Sequence, residues 1–236
     1  MRVYHRLDIR YLSVGIKYLL SAARETALET QRAAYARQLA ELIASGHPVV
    51  YLDETSVHLQ MTQRKTWQLE GTQLSATIHA QQQRLTLYGA IGACIDEQVL
   101  MIGQSTNAEE FCDFLELLIA SVTRSYSGST PVLALDNHRA HHATRTRRHL
   151  EHFRVYWLPP YSSPLNAIER LWAVVKRQYR QHLGLSLPSR PTSWTRLART
   201  VLTIAQRVPR STILALLTSN QREIVRLLEV NEAAGR

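Results

Sequence analysis

The chain has 236 residues, and its content of 45% hydrophobic and 20% charged residues is typical of a folded globular protein and excludes an intrinsically disordered one. Its apolar runs are too short to cross a bilayer, and charged residues interrupt the first 25 positions, where a signal peptide would lie, so we expect a cytoplasmic protein. The 28 lysines and arginines outnumber the 19 acidic residues, and the net charge of +9 favours a polyanionic partner such as nucleic acid.

The predicted elements begin with one amphipathic helix over residues 19–45, which Gly46 ends. A buried strand then leads from Val49 to Asp53, and alternating residues extend it through Leu59. Three further strands are predicted, at residues 74–80, 84–95 and 99–102.

A second helix is predicted to begin at Thr106 or Asn107, with Glu109 or Glu110 in position for a capping box. The continuous apolar run Val132–Leu135 predicts another buried strand. A short helix and a last strand follow it, at residues 145–152 and 155–158.

The helix with the clearest starting signals begins at Ser163 and Pro164, because Ser is favoured at the N-cap and Pro at the first helical position. Its apolar positions follow steps of three and four residues: Leu165, Ile168, Trp172, Val175 and Tyr179. Two more helices are predicted after a linker that contains two prolines, at residues 194–208 and 211–228. Because hairpins come first and crossovers later, the order predicts an α/β fold with a mixed sheet and helices on its faces.

Three acidic residues follow or lie on predicted elements, although periodicity alone does not show that they converge. Asp53 and Asp136 follow two strands, which put both carboxylates at one place on the sheet if the strands are neighbours. Glu169 lies at the edge of the apolar stripe of its helix and is expected to face the sheet. Clustered carboxylates repel one another unless a cation neutralises them, and Mg²⁺ is a hard cation that takes oxygen ligands. Two such ions about 4 Å apart are suited to phosphoryl transfer.

Three segments, at residues 51–56, 135–141 and 158–172, resemble mariner-type transposases, above all those of bacterial insertion sequences. The third segment is the most specific, since a Pro-Pro-Tyr-Ser turn precedes Leu-Asn-x-Ile-Glu-Arg-x-Trp. It departs from the family only in the turn, where the usual Tyr-Ser-Pro is replaced by Tyr-Ser-Ser-Pro. The resemblance covers residues 47–183 and implies an RNase H-like fold with a mixed five-stranded sheet.

The resemblance also implies the chemistry, because Asp53, Asp136 and Glu169 match the three catalytic metal ligands of the family. It implies two Mg²⁺ ions, with Mn²⁺ as a substitute. The implied function is that of a transposase catalytic domain, a DDE endonuclease that cleaves DNA at the element ends and joins the liberated 3′-hydroxyl to target DNA. Insertion at a TA dinucleotide and a homodimer are implied as well. A non-transposing remnant that acts as a DNA-binding factor and a hydrolytic RNase H-like nuclease are the alternatives.

Other residues near the three acids are expected to support the site or to bind DNA. Glu54 is an alternative ligand, but strand alternation puts it on the face opposite Asp53, and the family pattern selects Asp53. His141 is expected near the metals or the substrate phosphate. Asn166, three residues before Glu169, is expected to orient its carboxylate or to contact DNA. The remaining supporting positions are Asn137, Arg139, Arg145, Arg147, Arg148, Lys176 and Arg177.

Several of these residues also fit ordinary structural roles. Asp136 and Asn137 suit a turn after a strand, and His138 and His142 suit an exposed surface. Core or packing positions are expected for the tryptophans and both cysteines: Trp67, Trp157, Trp172, Trp194, Cys94 and Cys112.

We divide the chain into a helical N-terminal extension, a catalytic domain and a helical tail, at residues 1–46, 47–185 and 186–236. Transposases of this type carry helix-turn-helix domains ahead of the core, and the extension is too short for a pair of them. We therefore interpret residues 9–20 as the remnant of a recognition helix. The expected protein is a truncated copy, or the downstream product of a split or frameshifted reading frame with a separate helix-turn-helix partner. When bound to DNA it would be associated with the nucleoid.

Overall fold

The computed structural model describes residues 21–58, 84–183 and 193–234. The strand expected at residues 74–80, the helix remnant at residues 9–20 and Trp67 lie outside the described residues. Within them, a mixed five-stranded sheet with helices on both faces confirms the predicted fold class.

The strands of the sheet are β1 (Val49–His58), β2 (Arg84–Gly92), β3 (Val99–Gly103), β4 (Val132–Leu135) and β5 (Arg154–Trp157). In the described ranges the helices are α1 (Ala22–Ala44), α2 (Ala108–Ser125), α3 (Thr144–Leu150), α4 (Ile168–Leu183), α5 (Trp194–Gln206) and α6 (Arg210–Ala234). Two 3₁₀ turns complete this set, at Arg139–His142 and Ser163–Leu165.

Strand β1 occupies the centre of the sheet, whose order is β3-β2-β1-β4-β5. It pairs antiparallel with β2, so that Asp53 lies opposite Gly89, and parallel with β4, so that Tyr51 lies opposite Ala134. Strands β4 and β5 are also parallel. Because the carboxyl ends of β1 and β4 point the same way, the residues that follow Tyr51 and Ala134 reach the same part of the sheet.

The two faces of β1 belong to two hydrophobic layers, as strand alternation requires. Tyr51 and Val57 are buried against helices α1, α4, α5 and α6, whereas Val50 and Leu52 are buried against α2. The terminal helices contribute fully buried residues to the first of these layers: Leu39 from α1, Val201 from α5 and Ile213 from α6. The helical segments at both ends of the described chain therefore belong to the hydrophobic layer on one face of the sheet.

The start of α2 agrees with the prediction, but its capping differs from the expected box. The side chain of Asn107 accepts hydrogen bonds from the N–H groups of Glu109 and Glu110, each at 2.9 Å. A capping box would turn the Glu110 carboxylate back to the N–H of Asn107. It instead accepts from the N–H groups of Gln104 and Ser105, at 3.0 and 3.2 Å, and ties the preceding loop to the helix.

The helix expected from Ser163 begins five residues later, at Ile168. Ser163–Leu165 forms a separate 3₁₀ turn, and the backbone is extended at Asn166, with φ −97° and ψ 111°. The reason is a long-range contact. The side-chain amide of Asn166 donates a hydrogen bond to the carbonyl of Leu52 on β1 and draws the chain toward the sheet. The predicted apolar stripe is confirmed, since all its members have an exposed fraction of 2% or less: Leu165, Ile168, Trp172, Val175 and Tyr179.

The described tryptophans and cysteines pack as expected, with one partial exception. Trp172 and Cys94 are buried, Trp194 is packed against the core, and Trp157 is partly buried, whereas Cys112 is only half-buried. No helix in residues 21–58, 84–183 and 193–234 combines the length and the apolar character that a membrane crossing requires.

Candidate active site

Asp53 lies on β1, partly buried, on the face covered by α4. The indole Nε1 of Trp172 donates a hydrogen bond of 3.0 Å to its Oδ2 atom. Burial raises the pKa of Asp53 to about 8, and the negative charges of Glu169, Glu54 and Asp136 add to this effect. A carboxyl group with such a pKa holds its proton at neutral pH unless a cation approaches.

Asp136 follows β4 and has a side chain that is 53% exposed. Its Oδ1 accepts a hydrogen bond from the N–H of His138 and lies 3.0 Å from Nδ1 of His141. Burial alone would raise the pKa of Asp136, but the hydrogen bonds from His141 and His138 outweigh it and hold the pKa below its ordinary value. The two aspartates therefore differ in charge, since Asp136 is ionised where Asp53 is protonated.

His141 lies behind Asp136, with an exposed fraction of only 1%. Its Nε2 is 3.0 Å from Oε1 of Glu54, and its ring packs on Phe111 with centroids 4.2 Å apart. Burial lowers the pKa of His141, but the contacts with Asp136 and Glu54 outweigh it and raise the pKa to about 10. His141 is therefore a buried cation between two carboxylates. Glu54 faces away from Asp53, as strand alternation predicts.

Glu169 lies in the first turn of α4 and is partly buried. Burial raises its pKa, the charge of Lys176 opposes the shift, and the charge of Asp136 adds to it. Lys176 is two helical turns further along α4, and burial lowers its pKa in spite of the attraction of Glu169 and Asp53. Lys176 thus belongs to the electrostatic surroundings of the acids, whereas its neighbour Arg177 is exposed.

The three acids line one cavity of about 780 Å³, together with the loop that follows β5 and the first half of α1. Among the described residues, no group of three or more His, Cys, Asp or Glu side chains is gathered closely enough to hold a metal ion as it stands. The three carboxylates line a shared space. An all-oxygen donor set of this kind suits hard divalent cations such as Mg²⁺.

Arg32 of α1 is a cavity residue that the sequence analysis missed. Its Nη2 donates to the carbonyl of Tyr161 at 2.6 Å, and its Nε donates to Oγ of Ser162 at 3.2 Å. It therefore holds the loop after β5, in which Tyr161 adopts a left-handed φ of 55°. The sequence contains a signal for the inward position of Arg32. It is four residues after Leu28 and three before Tyr35, on the buried face of the helix.

Two asparagines expected near the acids bind backbone. Asn137 donates to the carbonyl of Leu158 at 3.0 Å and links the ends of β4 and β5, while also lining the cavity. Asn166 is 3% exposed and donates to the carbonyl of Leu52 at 3.0 Å. Asn166 therefore anchors the segment just before α4 to β1, three residues ahead of Glu169.

The arginine-rich stretch lies outside the cavity that the acids line. Four of its members are exposed and do not line that cavity: Arg139, Arg145, Arg147 and Arg148. Arg145 and Arg148 line a separate cavity of about 460 Å³ against α2, where Glu109 and Asp113 also lie.

The two flanking histidines have different positions. His138 is partly buried and lines the cavity of the three acids. His142 is exposed and stacks on Trp157, with ring centroids 4.2 Å apart. Of the two, only His138 is in position to meet a molecule in that cavity.

The sequence model of a family described as "DDE superfamily endonuclease" matches residues 48–186. An "Insertion element IS630 uncharacterized 39 kDa protein" of Shigella sonnei is 33% identical over 129 residues, which are 53% of this chain and 37% of that protein. The chain therefore spans well under half the length of this relative.

Solved structures of the Mos1 transposase share the fold. The paired-end complex with the left transposon end has a TM-score of 0.71 at 15% identity, over 97% of this chain and 69% of that chain. The mariner Mos1 paired-end complex with Mg has a TM-score of 0.68 at 15% identity, over 97% of this chain and 69% of that chain. The catalytic domain alone has a TM-score of 0.59 at 14% identity, over 91% of this chain and 93% of that chain. These likenesses confirm the expected fold class.

Proposed function

We propose that this chain, which belongs to the DDE superfamily endonuclease family, is the catalytic part of a mariner-type DNA transposase. The observation that carries the proposal is the position of Asp53, Asp136 and Glu169, which two neighbouring strands and one helix bring to a single cavity. The relation to an insertion-element protein and the fold shared with Mos1 transposase support it.

We infer that the three carboxylates hold two Mg²⁺ ions, for which Mn²⁺ can substitute. Three observations support this inference. The donor set is all oxygen, and burial together with the negative charges of Glu169, Glu54 and Asp136 raises the pKa of Asp53. A solved Mos1 structure of the same fold contains Mg. Such ions, when bound, activate the attacking oxygen and stabilise the leaving oxygen in phosphoryl transfer.

The reaction that we propose has two steps at one site. In the first, water attacks the phosphodiester at an element end, a new P–O bond forms, and the bond to the 3′-oxygen breaks to leave a 3′-hydroxyl. In the second, this 3′-hydroxyl attacks a target phosphodiester and a target 3′-hydroxyl leaves. The protein's part is to bind and orient: Asp53, Asp136 and Glu169 supply the ligands, and Lys176 supplies positive charge beside them. No covalent protein intermediate is needed.

We infer that DNA, as element ends and as target, is the substrate, with insertion at a TA dinucleotide. The exposed arginines after β4 and the net charge of +9 favour contacts with its phosphates. We further propose that residues 47–185 form the catalytic unit, flanked by the helical segments 1–46 and 186–236. A homodimer, an upstream helix-turn-helix partner and association with the nucleoid complete the proposal.

A strand-transfer assay with a pre-cleaved element end, target DNA and Mg²⁺ or Mn²⁺ tests the function. Joined product from the wild-type chain, and none from Asp53→Asn, Asp136→Asn or Glu169→Gln, is the expected result. The matched control is Glu151→Gln, because Glu151 is an exposed acid outside the cavity and its loss should leave joining unchanged. Hydrolysis without joining would favour the nuclease, and DNA binding without either reaction would favour a non-catalytic DNA-binding factor.

A further inference from the structure

Trp172 makes a polar contact that its core position alone does not require. Its ring is 1% exposed, and the Nε1–H group points at Oδ2 of Asp53 at a distance of 3.0 Å. An indole N–H is a neutral donor, so it can hold one carboxylate oxygen without adding a positive charge that would compete with a metal ion. The contact joins residues that are 119 positions apart, so no local element imposes it.

Gly89 of β2 leaves the space through which the indole ring reaches Asp53. Gly89 is the residue that pairs with Asp53 across the two strands. A Cβ atom at this position would lie 2.4 Å from Cη2 and 3.0 Å from Cζ2 of Trp172, and 3.2 Å from Cδ1 of Ile168. The far end of the indole ring therefore rests on bare backbone, and any larger residue at position 89 would push it away.

We propose that Trp172, together with the space that Gly89 leaves, is a positioning device that holds Oδ2 of Asp53 and leaves Oδ1 for the metal. The proposal deepens the proposed function and rests on it. Asp136 is held in a parallel way, because its Oδ1 is engaged by His138 and His141. Each aspartate thus has one oxygen fixed by a donor, which restricts the rotation of its carboxylate before any ion arrives.

The first test uses the full chain without metal or DNA. In a ¹⁵N–¹H correlation spectrum, the indole resonance of Trp172 is identified by its absence from Trp172→Phe. We expect Asp53→Ala to shift this resonance upfield, because the N–H loses its acceptor, and to leave the resonance of Trp194 unmoved. An unshifted Trp172 resonance would overturn the proposal whether or not the protein cleaves DNA.

The second test measures Mn²⁺ binding by calorimetry. Replacement of Trp172 by 3-benzothienylalanine keeps the ring volume and removes only the N–H donor. We expect the Mn²⁺ dissociation constant to rise roughly 10- to 100-fold, as for other groups that orient a metal ligand, with little change in Tm. The same replacement at Trp194 is the matched control and should leave Mn²⁺ binding unchanged.

A third comparison uses Gly89. We expect Gly89→Ala to weaken Mn²⁺ binding about as much as the benzothienyl replacement. In a Trp172→Phe background, where the ring is shorter, Gly89→Ala should weaken Mn²⁺ binding little further. Wild-type Mn²⁺ affinity in the benzothienyl variant would overturn the proposal and leave Trp172 as a packing residue. Wild-type protein that binds Mn²⁺ but never joins DNA would overturn the proposed function instead, and the positioning role would still be decided by the spectra and the Mn²⁺ affinities.

Discussion

The imidazole Nε2 of His141 lies 3.0 Å from a carboxylate oxygen of Glu54, and the two side chains are only 1% and 7% exposed. The other ring nitrogen of His141 contacts Asp136, so one buried ring joins a residue behind the sheet to an acid that lines the cavity. Glu54 could not be buried in this position without the cation beside it.

We expect His141→Ala to lower the free energy of unfolding by about 3–5 kcal/mol, because Glu54 would be left as a buried charge without its partner. Adding Glu54→Gln to this variant should restore part of the loss, since it removes the charge. Urea denaturation of the four proteins of this cycle measures the coupling. If the losses in unfolding free energy of the two single variants simply add in the double variant, the result would contradict the pairing of His141 with Glu54.

The raised pKa of Asp53 predicts that metal-free protein becomes less stable as the pH rises. The carboxyl group has a pKa of about 8 in the folded chain, against about 3.9 when unfolded, so the folded state favours the protonated form. Its favourable contribution is complete below the unfolded pKa and is lost as the pH rises through about 8. Asp53→Asn should flatten this decline, and excess Mn²⁺ should remove it in the wild type. A decline of equal slope in Asp53→Asn would contradict the assignment to this group.

The sheet could be predicted because its signals are local, whereas the convergence of the three acids was implied by the resemblance and not by periodicity. Val132–Leu135 is a continuous apolar run and is a strand with the predicted bounds, and the motif around Glu169 has few chance matches. The contacts that orient these acids could not be predicted in the same way. Trp172 reaches Asp53 across 119 positions, so its stripe position indicated packing and gave no sign of its hydrogen bond.

The same limit explains two features around the cavity that the local sequence signals did not indicate. The Ser163 and Pro164 pair is a good local helix start, but a hydrogen bond from Asn166 to a carbonyl 114 positions away delays the helix to Ile168. The Arg145 and Arg148 side chains follow Asp136 closely in sequence, yet α3 carries them to the α2 side. Sequence proximity to a ligand does not fix the face on which a short helix presents its side chains.

Arg32 provides a test of the loop after β5. We expect Arg32→Met to slow DNA cleavage roughly 10-fold or more, because the loop that lines the cavity loses two donors and shifts relative to the acids. Stability should change little, since a partly exposed hydrogen bond contributes only about 1 kcal/mol. Single-turnover cleavage and thermal denaturation separate the two effects. Arg37→Met is the control, because Arg37 is exposed on the same helix. Equal slowing in both variants would argue against a specific role for Arg32.

Asn166 and Asn107 allow a matched comparison of two asparagines at helix starts. Asn107 caps α2, whereas Asn166 precedes α4 and also binds the carbonyl of Leu52 from a buried position. We expect Asn107→Ala to cost about 1 kcal/mol of stability and to leave Mn²⁺ affinity unchanged. Asn166→Ala should cost roughly 1–3 kcal/mol and also weaken Mn²⁺ binding, because the first turn of α4, which carries Glu169, loses its anchor to β1. Calorimetry with Mn²⁺, set beside urea denaturation, reports both quantities. Unchanged Mn²⁺ affinity in Asn166→Ala would mean that the first turn of α4 keeps its place without this anchor.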